Sequence, residues 1–464
     1  MDFGIYILWF VSDLGFRASN FILMDLLLGI ATSAWNVFTD VWWLILPFIL
    51  FFPLRDLWAI YLRDRTIKKM TWSLFQIKVP DNILKTPKAM EQVFASMYAS
   101  YSHGINFLLK YIDGMVDDWY SFEIVGNSHG INFYVFAPSN RKAVVESAVY
   151  SQYPDAEVVE VEDYTELLPK SLPNKEYNLW GSDLKLNRES FYPINTYSYF
   201  EDAQEEKRLD PISAIAEVMS GLKENEWLWW QIVICPSDSS KGIDNQWVEE
   251  GEVKISELAG QKKQPPGPGF TENLGEWLQN LAVAPVQIPE WGFGKAEEKG
   301  PTFKFMNPSE SDVAKAIHTK ISKLGFDTTI RFIYIGPTRD FSSAVGTAVF
   351  GSIRQFNNPK LNTFGPGKEL TLISGGNWKG KFIPFYKRLM LASRKKKIFS
   401  NYKKRKLRSK YVDKYRPSSA PIVTFSTEEL ATLYHFPTML VKAPMMQRTE
   451  SKRGGAPVNL PIVE

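Results

Sequence analysis

The side chains best suited to contact a charged partner form a long cationic run towards the C-terminus. Residues 379–416 contain sixteen lysines or arginines and one acid, Asp413, which gives the run a net charge of +15 within a chain of net charge +3. Such a run can neutralise nucleic-acid phosphates or anionic lipid headgroups, and it can equally be a solvated basic helix and linker. The sequence leaves these three interpretations open. The residues predicted to make the contact are Arg394, Lys395, Lys396, Lys397, Lys403, Lys404, Arg405, Lys406, Arg408 and Lys410.

Nucleotide hydrolysis, metal binding and nucleophilic catalysis each require residue spacings that this sequence does not offer. A phosphate-binding loop needs G-x-x-x-x-G-K-[ST], and the closest stretch, Gly375–Lys381, is followed by Phe382, which cannot hold magnesium. The four histidines and the single Cys235 have neither zinc-ligand spacing nor the spacing of a nucleophile and its base. An acidic cluster near the end of a strand is expected to face solvent; its members are Glu157, Glu160, Glu162 and Asp163. We therefore predict a non-enzymatic protein without cofactor or metal.

The first sixty residues contain the longest apolar stretch. Val41–Leu54 carries no charge, and the apolar character continues to Leu62, which approaches the roughly 20 residues that a membrane helix needs. Basic residues follow directly, and by the positive-inside rule they would place the remainder in the cytoplasm. We expect a transmembrane anchor within residues 1–70 and a location at the cell membrane. A hairpin that includes Phe21–Ala31 is an alternative, and a buried core helix is the competing interpretation.

The elements that must position the cationic run follow this apolar region in two similar patterns. In the first pattern, helices are predicted to begin at Thr86-Pro87, where a cap residue precedes the proline, and at Pro138-Ser139. The strands of this pattern are predicted at Trp72–Val79, Phe122–Val125, Ile131–Phe136 and Val158–Glu162. The order β-α-β-β-α-β is the ferredoxin-like pattern.

The second pattern repeats the helix-start signals at Asp210-Pro211 and at Pro308. Its strands are predicted at Pro193–Phe200, Trp227–Ile234, Phe303–Met306 and Thr329–Ile335, with an insertion over residues 237–300. We predict an α+β fold: an N-terminal transmembrane anchor, two tandem ferredoxin-like units and a basic helical C-terminal region. The predicted bounds are 71–165 and 186–337 for the units, 338–420 for the basic segment, and 421–464 for a capped helix with a Pro-rich tail.

The segment Thr424–Pro437, TFSTEELATLYHFP, predicts a short capped helix. Ser426 and Glu429 match the S-x-x-E capping box, and Pro437 prevents the helix from continuing. The segment resembles the region before the ATPase domain in membrane-associated motor proteins of type IV secretion and conjugative DNA transfer, whose ATPases are of HerA/TraG type. A "P-x-NLP" strip downstream adds to this resemblance through Pro457, Asn459, Leu460 and Pro461. Earlier stretches such as TPKAMEQVF, YPDAEVVEVEDY and GFDTTIRFIYIG look like the same pre-motor regions.

This resemblance implies a membrane-anchored, non-catalytic component of a type IV secretion-like or conjugative system that scaffolds a separate P-loop ATPase. The residues expected to dock that partner are Glu428, Glu429, Leu433, His435 and Phe436. The alternative is a membrane-tethered nucleic-acid-binding protein that works without a motor. The expected partners are thus the membrane and the ATPase, with nucleic acid and a second copy of the chain as further candidates.

Overall fold

A computed structural model describes the chain in segments. The described residues are 57–80, 85–98, 118–200, 210–237, 246–260, 307–367, 384–405 and 423–437, with scattered positions between 29 and 55 and at 112, 114 and 116. The chain divides into two compact units, Met1–Lys68 with Asn106–Val116, and Lys69–Ile105 with Asp117–Glu464. Residues 57–68 of the first unit are helical.

The described strands of the second unit form one antiparallel sheet. They are β1 Trp72–Lys78, β2 Tyr120–Asn127, β3 Gly130–Pro138, β4 Glu157–Val161, β5 Tyr177–Leu186, β6 Trp227–Pro236, β7 Gly325–Pro337, β8 Phe364–Pro366 and β9 Val423–Ser426. Their order across the sheet is β4-β1-β3-β2-β6-β7-β5-β8, and β9 pairs with the first residues of β7. Within each half the order is 4-1-3-2, and the halves meet where β2 pairs with β6.

Helices cover both faces of this sheet. They are α1 Pro87–Met97, α2 Lys142–Gln152, α3 Tyr197–Phe200, α4 Ser213–Ser220, α5 Gln246–Leu258, α6 Pro308–Ile321, α7 Ala344–Ile353, α8 Pro384–Lys403 and α9 Thr427–Leu433. The larger core lies between one face and helices α1, α2, α4, α7 and α9. A smaller core lies on the opposite face, where Ile398, Phe399 and Tyr402 of α8 pack against strand residues such as Trp229 and Ile333. The two cores separate because successive side chains of a strand point to opposite faces.

Several predicted elements are present. The four strands and two helices expected between Trp72 and Glu162 correspond to β1–β4, α1 and α2. The helix starts at Pro87 and Pro308 are also found, each with the proline in the first turn. Local cap signals and alternation were therefore sufficient in these places, and the sheet with its helices agrees with the α+β class.

The predicted fold class nevertheless needs correction. Within the described residues, no helix combines the length and the apolar character that a membrane crossing requires. This finding corrects the expected N-terminal transmembrane anchor, of which most of Val41–Leu54 lies outside the described residues. The two units expected in tandem share one nine-stranded sheet, in which β2 pairs with β6 and the C-terminal region adds β9. The basic segment is helical over Pro384–Lys403.

The strand prediction at Pro193–Phe200 is also wrong. Tyr197–Phe200 is the short helix α3, and β5 at Tyr177–Leu186 is the strand that opens the second half. The sequence pattern did not predict β5 because Gly181 and Asp183 interrupt its apolar alternation. The strand expected at Phe303–Met306 lies outside the described residues.

Candidate functional site beneath the basic helix

A row of polar residues crosses the sheet at right angles to its strands. Glu123 on β2 is the register partner of Gln231 on β6, and Gln231 is the partner of Arg331 on β7. Arg331 in turn faces Asp183 on β5. All four side chains are buried. Because residues in register share one face of a sheet, the row gathers two carboxylates, one guanidinium and one amide beneath helix α8.

Hydrogen bonds connect the row along its length. Arg331 donates through Nε to Asp183 Oδ1 at 3.1 Å and through Nη1 to Gln231 Oε1 at 2.9 Å. Gln231 Nε2 donates to Glu123 Oε1 at 2.8 Å. The Arg331 cation is thus matched by Asp183. Glu123 needs a second cation, because an unpaired buried carboxylate is costly.

Arg405, directly after the last turn of α8, supplies that cation. Its Nε donates to Glu123 Oε1 at 3.0 Å and its Nη2 to Asp163 Oδ1 at 3.0 Å. The guanidinium carbon lies 4.2 Å from the ring centroid of Phe136, and the side chain is 1% exposed. Arg405 has a φ of 42°, a left-handed conformation that non-glycine residues seldom adopt. Its side-chain contacts therefore hold the end of α8 in an unusual backbone conformation.

Tyr164 and Tyr402 complete a polar cluster whose other members are Glu123, Asp163 and Arg405. Tyr164 Oη donates to Glu123 Oε2 at 2.6 Å and lies 2.9 Å from the hydroxyl of Tyr402 on α8. Burial, with the negative charge of Glu123, raises the pKa of Tyr164 well above its ordinary value, and the pKa of Tyr402 is raised for the same reasons. Burial alone would raise the pKa of Asp163, but the hydrogen bonds and charge of Arg405 lower it below the usual range. These groups hold fixed protonation states near neutral pH, as a structural network does.

The predicted cationic contact residues separate into three groups. Lys396, Lys397 and Lys404 are exposed, and Arg394 and Lys403 are half-buried. Lys395 and Arg405 are turned into the fold instead: Lys395 Nζ donates to Asn178 Oδ1 at 2.7 Å, and Arg405 joins the polar cluster. The charged groups of Lys395 and Arg405 therefore contact other residues of the same chain. The remaining three, Lys406, Arg408 and Lys410, lie outside the described residues.

The residues predicted to dock a partner lie inside the fold. Glu429 Oε2 is 2.9 Å from Lys320 Nζ, and both side chains are at most 1% exposed. Glu429 also accepts a hydrogen bond from the backbone of Ser426 at 2.9 Å, which completes the predicted capping box. Glu428 is 2.7 Å from the ammonium of Lys323. Docking through these two acids stays a prediction, and the contacts seen here are intramolecular.

The other three predicted docking residues are buried as well. His435 Nε2 lies 2.8 Å from Asp210 Oδ1, and its Nδ1 lies 2.8 Å from the carbonyl oxygen of Ala431. Leu433 and Phe436 belong to the larger core. Together these contacts hold the segment that follows β9 against the start of α4.

The acidic cluster near β4 does not converge. Glu157 and Glu160 form surface ion pairs with Lys78 and Lys142 at 3.7 and 3.5 Å, whereas Asp163 turns inwards to Arg405. Among the described residues, no group of three or more histidine, cysteine or acidic side chains is arranged to hold a metal ion.

Sequence reasoning missed the central members of the site, which are Glu123, Asp183, Gln231 and Arg331. The four residues lie on four different strands, and only the pairing of those strands brings them together. A family model described as "Domain of unknown function (DUF8128)" matches residues 72–366, which extend from the first residue of β1 to the last of β8. No curated protein matches the chain.

Proposed function

We propose that this chain is a non-catalytic scaffold of a type IV secretion-like or conjugative DNA-transfer system that works with a separate HerA-type ATPase. The chain belongs to the family described as domain of unknown function (DUF8128). One observation carries the proposal. The segment that resembles the pre-ATPase region of motor proteins is an integral part of the folded body, because β9 pairs with β7 and α9 packs on α1.

Ion pairs connect this segment to the body. Lys320 of α6 pairs with Glu429, and Lys323 bridges Glu428 at 2.7 Å and Glu91 of α1 at 2.8 Å. Buried ion pairs cost desolvation and are weak evidence for stability, and in some systems they specify one geometry. Pro437, the last described residue, is therefore held at a fixed position on the body. A fixed position of this segment suits a part that holds a partner domain in one orientation.

The interior charges support a non-catalytic role. The buried carboxylates Glu123, Asp183 and Glu429 each lie beside a cation of the same chain. A catalytic acid or base needs a reactive atom that substrate can approach, and these side chains are enclosed by the fold. Among the described residues, the polar cluster under α8 joins the end of this helix to the sheet.

Capture of the ATPase tests the proposal. The full chain is co-expressed with each P-loop ATPase encoded beside its gene, purified by a tag on this chain, and the recovered partner is identified by mass. We expect a complex of defined stoichiometry whose ATP hydrolysis belongs entirely to the partner. A matched chain that stops after Pro437 asks whether residues 438–464 are needed. Recovery of this protein without any ATPase would overturn the proposal and favour the rival, a nucleic-acid-binding protein that works without a motor.

A further inference from the structure

The inward side of α8 uses all of the apolar residues between positions 394 and 405. Phe399 and Tyr402 pack against Trp229, with ring centroids 6.2 and 5.0 Å away, and Ile398 is buried in the same core. Arg405 fixes the rotation of the helix, since it lies on the same side and is held by the polar cluster. The apolar residues of this stretch are thus already packed against the sheet.

The outward side of the same stretch is purely cationic. Between residues 394 and 405 the exposed positions are Lys396, Lys397 and Lys404, and the half-buried Arg394 and Lys403 flank them. The stretch contains no aspartate or glutamate. Its outward surface therefore carries a positive potential that attracts polyanions.

We infer that this outward face of α8 binds the phosphate backbone of nucleic acid without reading its sequence. Phosphate neutralisation requires only exposed lysines or arginines. A helix that lies on lipid needs an apolar face to insert, and the apolar residues of this stretch are buried against the sheet. The charge and burial of the face therefore favour nucleic acid over a membrane surface.

The spacing of the exposed lysines suits duplex DNA. Lys396 and Lys404 are eight residues apart, about 12 Å along a helix that rises 1.5 Å per residue. The major groove of B-DNA is also about 12 Å wide, so the two ends of the face can reach phosphates on its two edges. This inference rests on the proposed function in one respect, because it names the polymer that the scaffold would hold.

The test uses the full chain and a matched pair of triple variants. Lys396→Gln, Lys397→Gln and Lys404→Gln are combined in the first variant. The control combines Lys88→Gln, Lys315→Gln and Lys360→Gln, which remove the same charge from exposed positions outside α8. Binding to two mixed-sequence DNA duplexes is measured by fluorescence anisotropy at several salt concentrations, and circular dichroism confirms that both variants are folded.

We expect the α8 variant to bind both duplexes about tenfold or more weakly at low salt, with a log–log salt slope flatter by about 0.9 per lost contact. The control should retain the affinity and slope of the unchanged protein. Equal losses in both variants, or unchanged binding in both, would overturn the inference. A selective loss on vesicles of phosphatidylserine and phosphatidylcholine, with DNA binding intact, would overturn it in favour of lipid. Capture of an ATPase is measured in a separate experiment, so the scaffold proposal and the DNA-binding inference can each be refuted independently.

Discussion

Arg405 and Glu123 are 282 residues apart in the chain, yet Arg405 Nε donates to Glu123 Oε1 at 3.0 Å. The contact joins the end of the basic helix to the central strand pair of the sheet. Both side chains are at most 1% exposed, so water screens their attraction little. The placement of α8 and of its exposed lysines depends on this pair.

Removal of the Arg405 cation should destabilise the fold strongly. Arg405→Met leaves Glu123 buried without its partner, and we expect a loss of about 3–5 kcal/mol in the free energy of unfolding. The double variant Arg405→Met with Glu123→Gln should lose less than Arg405→Met alone, because the orphaned charge is gone. Lys404→Met is the matched control at an exposed neighbour, expected within about 0.5 kcal/mol of the unchanged protein. Urea titration followed by tryptophan fluorescence measures all four proteins, and equal effects of Arg405→Met and Lys404→Met would contradict the assignment.

Asp163 should make the stability of the fold depend on acid pH. Burial would raise its pKa, but Arg405 lowers the pKa below the ordinary value, so the folded-state pKa lies below the unfolded one. The stabilisation is therefore fully present above about pH 4, the ordinary range of aspartate, and is lost as the pH falls through the folded-state pKa. In Arg405→Met the burial still raises the pKa of Asp163 and only the hydrogen bonds from Thr165 lower it, so the midpoint of acid unfolding should move to higher pH. An acid-unfolding curve of Arg405→Met that matches the unchanged protein would refute this.

Features that depend on neighbouring residues could be predicted from the sequence, whereas features that depend on long-range strand pairing could not. Pro87 and Pro308 indicate helix starts because proline suits the first turn of a helix, and such a signal depends only on neighbouring residues. The polar row could not be predicted, because Glu123, Gln231 and Arg331 become neighbours only through the register of three strands. In the sequence these residues are far apart and follow no common spacing. The sequence also could not show which cations of the basic run are exposed, since the burial of Lys395 and Arg405 depends on how α8 packs.

The Lys320–Glu429 pair should hold the C-terminal segment in place. Lys320→Met leaves Glu429 buried without its cation, and a loss of about 3–5 kcal/mol in unfolding free energy is expected. Adding Glu429→Gln should recover part of this loss, because glutamine is neutral and still satisfies a capping box. Lys315→Met, at an exposed position of the same helix α6, should change the free energy by no more than about 0.5 kcal/mol. Chemical denaturation of the four proteins decides the matter, and an Lys320→Met variant as stable as Lys315→Met would show that the pair contributes little.

The two glycines of α7 should respond to alanine in opposite directions. A Cβ at Gly346 would overlap the ring of Trp180, whereas a Cβ at Gly351 meets nothing within 4 Å. Gly346→Ala therefore forces the helix away from β5, with an expected loss of about 1–3 kcal/mol from overpacking. Gly351→Ala only reduces the freedom of the unfolded chain and favours helix, so a gain of about 0.5 kcal/mol is expected. Thermal and urea unfolding of both variants measure the difference, and a Gly346→Ala protein as stable as Gly351→Ala would mean that α7 does not pack on Trp180 in solution.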